Sequence, residues 1–146
     1  MNDEAALAGI YREVSPVAAV KTRPKLDPAS RSFLAASTFA VIGTSDVDGR
    51  LDVSPRGGPP GFLHVLDDER LAIADLSGNN RLDCIRNVVR TGRIGMLVIV
   101  TGQHETVRVN GRAWLTTDPD LLDHFSTIVR RPRAAIGVDA GRTLHV

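Results

Sequence analysis

The chain has 146 residues, enough for one domain with a hydrophobic core of its own. Hydrophobic residues make up 42% and charged residues 24%, which is too apolar for a disordered protein and ordinary for a globular one. The formal net charge of +1 excludes a global field that would attract nucleic acid, so any anion site must be local.

Cysteine and hydropathy patterns predict a location in the cytoplasm. The single Cys84 excludes an intrachain disulfide and fits a reducing compartment. No apolar run approaches the ~20 residues needed to span a bilayer. The N-terminal sequence MNDEAALAG starts acidic where a signal peptide would start basic. We therefore expect no membrane contact. The histidines have no metal-ligand spacing and Cys84 has no CxxC partner, so we also expect no metal site.

Residues 1–26 are predicted to form an N-terminal arm, and residues 27–146 a single domain. The arm contains one short helical piece near residues 4–14. The domain begins with Asp27-Pro28, an N-cap followed by proline at the first helical position, which predicts a helix ending near residue 38.

Two hairpins are predicted next. The β-rich segments 39–44 and 51–54 flank the turn sequence DVDG, and the proline and glycine cluster at 55–61 is expected to end the second strand. Segments 62–66 and 71–74 form the second hairpin around DDE.

The rest of the chain again combines short helices with strands. Residues 80–90 have helical spacing, residues 94–100 and 106–115 are the next pair of strands, and Asp118-Pro119 starts a last helix toward residue 128. The tail at 134–146 is expected to form one or two short strands. Antiparallel strands at short spacing with brief helices favour a small barrel over a βαβ sheet.

Two motifs indicate a phosphate site. SPRGGPPGF (residues 54–62) follows a strand, and GNNRLD (residues 78–83) leads into a helix. Glycines expose backbone N–H groups, arginines supply guanidinium groups, and a helix N-terminus attracts anions. A structural alternative stays open for each: the glycines form a tight connection, Asn80 caps its helix, and Arg56 and Arg81 are solvated surface side chains.

The order FAVIGTSDVDGRLDVSPRGGPPGF, GNNRLDCIRNV, IGMLVIV and ETVRVNGRAWL resembles the pyridoxamine 5'-phosphate oxidase-like FMN-binding split-barrel superfamily, and more narrowly its FMN-dependent enzyme subgroup. The resemblance covers about residues 30–146. It implies a mainly β fold with short helices, a six-stranded antiparallel split β-barrel of the FMN-binding type. It also implies a homodimer with FMN at the subunit interface.

The resemblance implies nine cofactor-binding residues: Val53, Ser54, Arg56, Asn79, Asn80, Arg81, Glu105, Thr106 and Arg108. The backbone of Val53 and Ser54 is expected near the isoalloxazine ring, and the side chain of Arg56 at the phosphate. The segment from Asn79 to Arg81 takes the positions of polar and basic phosphate ligands, directly before a helix. The three residues from Glu105 onward are expected to approach the flavin from the other subunit.

The resulting functional expectation is an FMN-dependent oxidoreductase acting on a small-molecule substrate, or on a reduced nicotinamide as electron donor. No catalytic residue is assigned, because the flavin carries the redox chemistry. Longer members of the superfamily continue past the position of Val146, which keeps one alternative open: a non-catalytic protein that binds or senses flavin, heme or a deazaflavin. A third alternative is an interaction domain that has lost its ligand.

Overall fold

The computed structural model of the chain describes residues 7, 9–11, 22–23, 25–76 and 82–145. These residues form a mainly β structure with short helices. In chain order the elements are β1 (Thr22–Arg23), α1 (Pro28–Ala36), β2 (Phe39–Ser45), β3 (Leu51–Gly57), β4 (Leu63–Val65), β5 (Arg70–Ala74), α2 (Asp83–Thr91), β6 (Arg93–Ile99), β7 (Thr106–Thr116), α3 (Pro119–Ser126) and β8 (Ala135–His145).

All the described strands belong to one antiparallel sheet. Its order is β3-β2-β6-β7-β8-β5-β4, and β1 pairs with β8 beside this path. The sheet is not closed, because β3 and β4 form its two ends. An open antiparallel sheet with short helices confirms the expected split-barrel class, with seven strands along the path where six were expected.

The long strands β7 and β8 bend together at a bulge. Their register shifts between Asn110 and Arg112, where Gly111 lies against the backbone of β8. A Cβ atom on Gly111 would lie 1.8 Å from the carbonyl oxygen of Asp139, so only glycine fits this approach. The bend lets β8 pair with β5 near its start and with β1 near its end. The C-terminal tail is therefore one long strand.

Strand β3 extends to Gly57, three residues beyond its expected end. The N–H of Gly58 bonds the carbonyl of Thr38 at 3.2 Å, which continues the ladder with β2 past Pro55. Because hydrogen-bonded pairs alternate along an antiparallel ladder, the nitrogen of Pro55 points away from β2. Proline is tolerated here since β3 is an edge strand and needs no donor on its outer side.

The core has two parts, and the helices cover the sheet that encloses them. The larger cluster fills the inner face of the sheet under α1 and α2, and the smaller one lies under α3. Asp27 and Asp118 cap α1 and α3 as expected, the former accepting a hydrogen bond from the N–H of Ser30 at 2.8 Å. In the described parts of the chain, no helix is long and apolar enough to cross a membrane.

The described part of the arm packs on the domain. Leu26 is 2% exposed within the larger core cluster, and Lys25 pairs with Glu69 at 3.1 Å. Most of the helix expected near residues 4–14 lies outside the described residues. The domain boundary after residue 26 stays a prediction.

Candidate functional site

A cluster that we call the Arg56 corner lies where β3, the end of β5 and the start of α2 meet; it comprises Ser54, Arg56, Asp75 and Cys84. Arg56 lies on the half-buried face of β3. Its Nη1 donates hydrogen bonds to Ser54 Oγ at 3.0 Å and to the carbonyl of Pro55 at 2.9 Å. These bonds hold the guanidinium group against its own strand.

Helix α2 places its N-terminus at the same corner. It begins at Asp83, three residues later than expected, and its N-cap Leu82 has no side-chain acceptor. The first-turn N–H groups therefore lack a side-chain cap from that residue. The helix contacts β3, and Cys84 in its first turn is buried close to the charge of Arg56. A guanidinium group and a helix N-terminus thus face one region, as phosphate binding requires.

Two titratable groups of the corner are influenced by Arg56. Burial raises the pKa of the Asp75 carboxyl above its usual value, and the nearby guanidinium group opposes that shift. Burial also raises the pKa of the Cys84 thiol, again against the charge of Arg56, while the hydroxyls of Ser54 and Thr44 contact the thiol. Cys84 is consequently a neutral, shielded thiol at physiological pH.

Three of the expected phosphate ligands, Asn79, Asn80 and Arg81, lie outside the described residues. Their roles stay predictions. The residues on either side of them are described: Leu76 packs beside the loop after Arg56, and Leu82 starts α2. Leu82 is the N-cap of α2, and the alternative that the Asn80 side chain caps this helix lies outside the described residues.

The glycines of the loop after Arg56 have a structural explanation. A Cβ atom on Gly58 would lie 2.7 Å from the Cβ of Phe62, and Gly61 has a φ of 97°. The loop closes through a hydrogen bond from the N–H of Phe62 to the carbonyl of Pro59 at 3.0 Å. Tight packing and turn geometry therefore account for Gly58 and Gly61 without a bound phosphate.

The outer edge of β3 presents backbone groups to its surroundings. At one end of the β2–β3 ladder the N–H of Asp46 donates to the carbonyl of Arg50, and at the other end the N–H of Gly58 donates to the carbonyl of Thr38. These two bonds determine which residue pairs between them are hydrogen-bonded. In that alternation the N–H and C=O groups of Val53 point away from β2, whereas those of Ser54 point toward it. Within the described chain, β3 pairs with β2 alone. Val53 thus offers a donor and an acceptor along the edge.

The outer side of β3, β2, β6 and β7 forms a partly exposed sheet surface that we call the open face. Register places residues of the four strands in rows, for example Pro55, Val41, Leu97 and Arg108. The apolar members of the open face are Leu51, Val53, Pro55, Phe39, Val41, Leu97 and Ile99. Leu51 is 82% and Val53 is 68% exposed, which is unusual for large apolar side chains on adjoining positions.

The remaining three expected ligands lie at the far side of the open face. Thr106 and Arg108 are on β7, and Glu105 immediately precedes that strand. Three strand spacings separate β7 from β3, or about 14 Å. One chain therefore brings Ser54 and Arg56 together at the corner but does not bring Arg108 to them.

Two features of the structure were not anticipated from the sequence. Asp75 gave no signal beyond following a buried strand. His64 and His124 stack with ring centroids 3.9 Å apart although sixty residues separate them, and no local pattern could reveal that contact. Within the described ranges, no group of three or more His, Cys, Asp or Glu side chains is arranged to hold a metal ion.

Solved structures share this fold. HupZ from Group A Streptococcus has 15% identity and a TM-score of 0.64, covering 82% of this chain and 93% of that one. The FAD binding protein from Mycobacterium smegmatis has 13% identity and a TM-score of 0.57, covering 85% and 97%. An F420 reductase has 18% identity and a TM-score of 0.52, covering 80% and 94%. At these identities the likeness shows the fold alone.

The sequence itself matches a protein-family model. No curated protein matches the chain. Residues 26–144 match the model described as pyridoxamine 5'-phosphate oxidase, a span that includes the three helices described above and the strands from β2 to all but the last residue of β8. The match covers most of the chain and agrees with the resemblance carried by the sequence motifs. The chain therefore belongs to the pyridoxamine 5'-phosphate oxidase family.

Proposed function

We propose that the chain is an FMN-dependent oxidoreductase whose Arg56 corner binds the flavin phosphate. The observation that carries the proposal is the meeting of the Arg56 guanidinium group with the start of α2. Family membership and the fold shared with an FAD binding protein and an F420 reductase support a flavin-type cofactor.

The donor set at the corner fits a phosphate monoester. Arg56 uses one terminal nitrogen for its two internal hydrogen bonds, and a guanidinium group has further N–H donors for a ligand. The first turn of α2 adds backbone N–H groups and the positive end of the helix dipole. In this proposal Asn79, Asn80 and Arg81 complete the phosphate ligands.

The edge of β3 suits the flavin ring. The pyrimidine end of an isoalloxazine carries an N–H donor between two carbonyl acceptors, which matches backbone groups along a strand edge. Val53 presents such groups two residues before Pro55, and Ser54 lies between Val53 and the corner. The ring would then extend along β3 while the phosphate stays at Arg56.

A second copy of the chain completes the site in this proposal. The open face exposes contiguous apolar side chains, the kind of surface that proteins cover by self-association. Because Thr106 and Arg108 lie three strands from β3, they would reach a flavin on β3 from the partner and not from the same chain. Glu105 would lie at the rim of that contact.

When bound, FMN supplies hydride or electron transfer. The residues of the chain would bind and orient the cofactor: Arg56 would hold the phosphate, Val53 would position the ring edge, and the apolar open face would exclude water from one side. We also propose that the protein is cytoplasmic, since a reducing compartment suits the free, buried Cys84.

Purified full-length protein tests the proposal. A flavin absorption spectrum, with FMN identified by mass after heat release, is the expected result. Bleaching of the spectrum by NADH or NADPH without oxygen would then support an oxidoreductase over a flavin store or sensor. A colourless protein that does not bind added FMN, heme or deazaflavin would overturn the proposal and favour an interaction domain.

A further inference from the structure

Two histidines close one side of the smaller hydrophobic cluster, away from the Arg56 corner. His64 lies on β4 and His124 in the last turn of α3. Their ring centroids are 3.9 Å apart with the planes at 35°, and Phe125 meets both rings edge-on at 6.2 and 6.0 Å. The pair therefore joins the last helix to the short edge strand of the sheet.

The attachment of α3 depends on few contacts. Leu122 and Phe125 are buried beneath the helix against alanines of β5 and β8. The helix contacts β4, a strand of three residues at the end of the sheet, through the histidine stack and through Phe125, which meets His64 edge-on. Weakening the stack would weaken the hold of α3 on that edge.

The stack disfavours a charge on His64. Burial and the adjacent His124 lower the pKa of His64 below its ordinary value, because burial penalises the charged ring and two protonated rings would place like charges in contact. His64 therefore accepts a proton more readily when α3 has moved away from β4.

Other charged side chains on the neighbouring elements have partners of their own. On the elements next to the histidines, Asp123 of α3 pairs with Arg131, Arg31 of α1 pairs with Asp68, and Arg70 of β5 pairs with Asp67. Asp120 lies in the first turn of α3, at the opposite end of the helix from His124.

Segments that follow α3 support the loop after Arg56. The position of a Cβ atom on Gly61 lies 2.9 Å from Cδ1 of Ile128, so the loop packs directly on the chain leaving α3. Leu76 contacts Gly58 and also belongs to the cluster beneath α3. Movement of α3 would therefore loosen residues 58–62.

We propose that the stacked His64 and His124 form a pH-sensitive latch that holds α3 against β4 and thereby supports the loop at residues 58–62. The open state binds one more proton than the closed state, so the latch holds above pH 6.5 and weakens as the pH falls below it. Uptake of one proton raises the opening constant by up to about tenfold per pH unit.

Hydrogen–deuterium exchange of the full-length protein at pH 7.5 and pH 5.5 tests the latch, with rates corrected for the intrinsic pH dependence. Peptides covering α3 and residues 58–62 are expected to exchange about tenfold faster at pH 5.5, and β6, which pairs with β2 and β7 away from β4, to stay unchanged as an internal reference. His64→Phe and His124→Phe keep a ring without a titrating nitrogen. His64→Phe should lose most of the pH response, and His124→Phe should reduce it, because it removes the neighbouring charge but leaves His64 partly buried.

His104→Gln is the matched control, because His104 is exposed between β6 and β7, outside the stack. It should respond to pH as the unmodified chain does. Equal exchange of α3 at the two pH values in the unmodified chain would overturn the latch. So would an undiminished response in the phenylalanine variants. None of these readouts requires a bound flavin.

Discussion

Arg56 is a long cationic side chain whose position is set by its own strand. Hydrogen bonds to Ser54 Oγ and the carbonyl of Pro55 restrict its rotamers before any ligand arrives, which lowers the entropy lost on binding. The carboxyl of Asp75 shares the corner and partly balances the guanidinium charge. Single residues therefore preorganise an anion site whose net charge depends on Asp75.

Replacing Arg56 by alanine is expected to weaken FMN binding by about 1.5 to 3 kcal/mol, the scale of a hydrogen bond to a charged group. The loss should be confined to ligands that carry the phosphate, because the proposed contact is with that group. Fluorescence titration with FMN and with riboflavin measures both affinities.

Arg50→Ala is the matched control for that substitution. Arg50 belongs to the same hairpin but pairs with Asp46 at the turn, away from the corner. It should leave both affinities within about twofold. Equal weakening of FMN and riboflavin by Arg56→Ala would show that the phosphate lies elsewhere.

At the scale of elements, α2 matters because its docking decides where its N-terminus points. The helix packs on the inner face of the sheet through Cys84 and Val88. One buried polar contact fixes its register: Asn87 Nδ2 donates to Thr44 Oγ1 at 3.1 Å. A shift of the helix along β2 would leave both groups unsatisfied, so this bond helps to keep the first turn at the corner.

Asn87→Ala is expected to lower the free energy of unfolding by about 1 to 3 kcal/mol, because it leaves Thr44 Oγ1 buried without this donor. Urea unfolding at fixed protein concentration measures the change. Val89→Ala on the same helix, where Val89 is 64% exposed, should change stability by less than about 0.5 kcal/mol. If the two variants lose the same stability, the polar contact does not hold the helix.

Local sequence signals predicted most elements but not all their ends. Aspartate followed by proline marked the starts of α1 and α3, since capping and a fixed φ are local effects. The predicted end of β3 at residue 54 is wrong, because proline interrupts a central strand but is tolerated in an edge strand. Whether β3 lies at the edge depends on long-range strand order, which local sequence does not reveal. The tail likewise forms one long strand, β8, because it pairs with β7, β5 and β1, and these partners are distant in sequence.

Part of the candidate site could also be predicted from the sequence. Arg56 and the start of α2 were expected together, and the structure places them at one corner. The contributions of Asp75 and of the stacked histidines arise from contacts across the sheet, which residue spacing does not encode. The separation of Arg108 from β3 also required the strand order, because only the sheet path shows three spacings between them.

At the scale of the whole molecule, the open face is an apolar surface that a single chain leaves exposed. Three strands, β3, β2 and β6, present apolar side chains outward, and the polar residues of β7 border them. A sheet that leaves such a face uncovered loses hydrophobic stabilisation that a second copy would recover. The proposed dimer places the β3 edge of one chain near β7 of the other.

Val53→Glu should therefore dissociate the proposed dimer without unfolding the chain. The side chain is 68% exposed in one copy, so a carboxylate is tolerated there, whereas two buried unpaired charges in the dimer would cost about 3 kcal/mol or more. Light scattering without added flavin should give twice the chain mass for the unmodified protein and 15.7 kDa for the variant.

Val89→Glu alters a valine of similar exposure on α2 and should stay dimeric, because Val89 lies outside the open face. An unmodified chain that is monomeric, or a Val53→Glu variant that remains dimeric, would exclude the open face as the interface, and Arg108 could then not reach the flavin on β3.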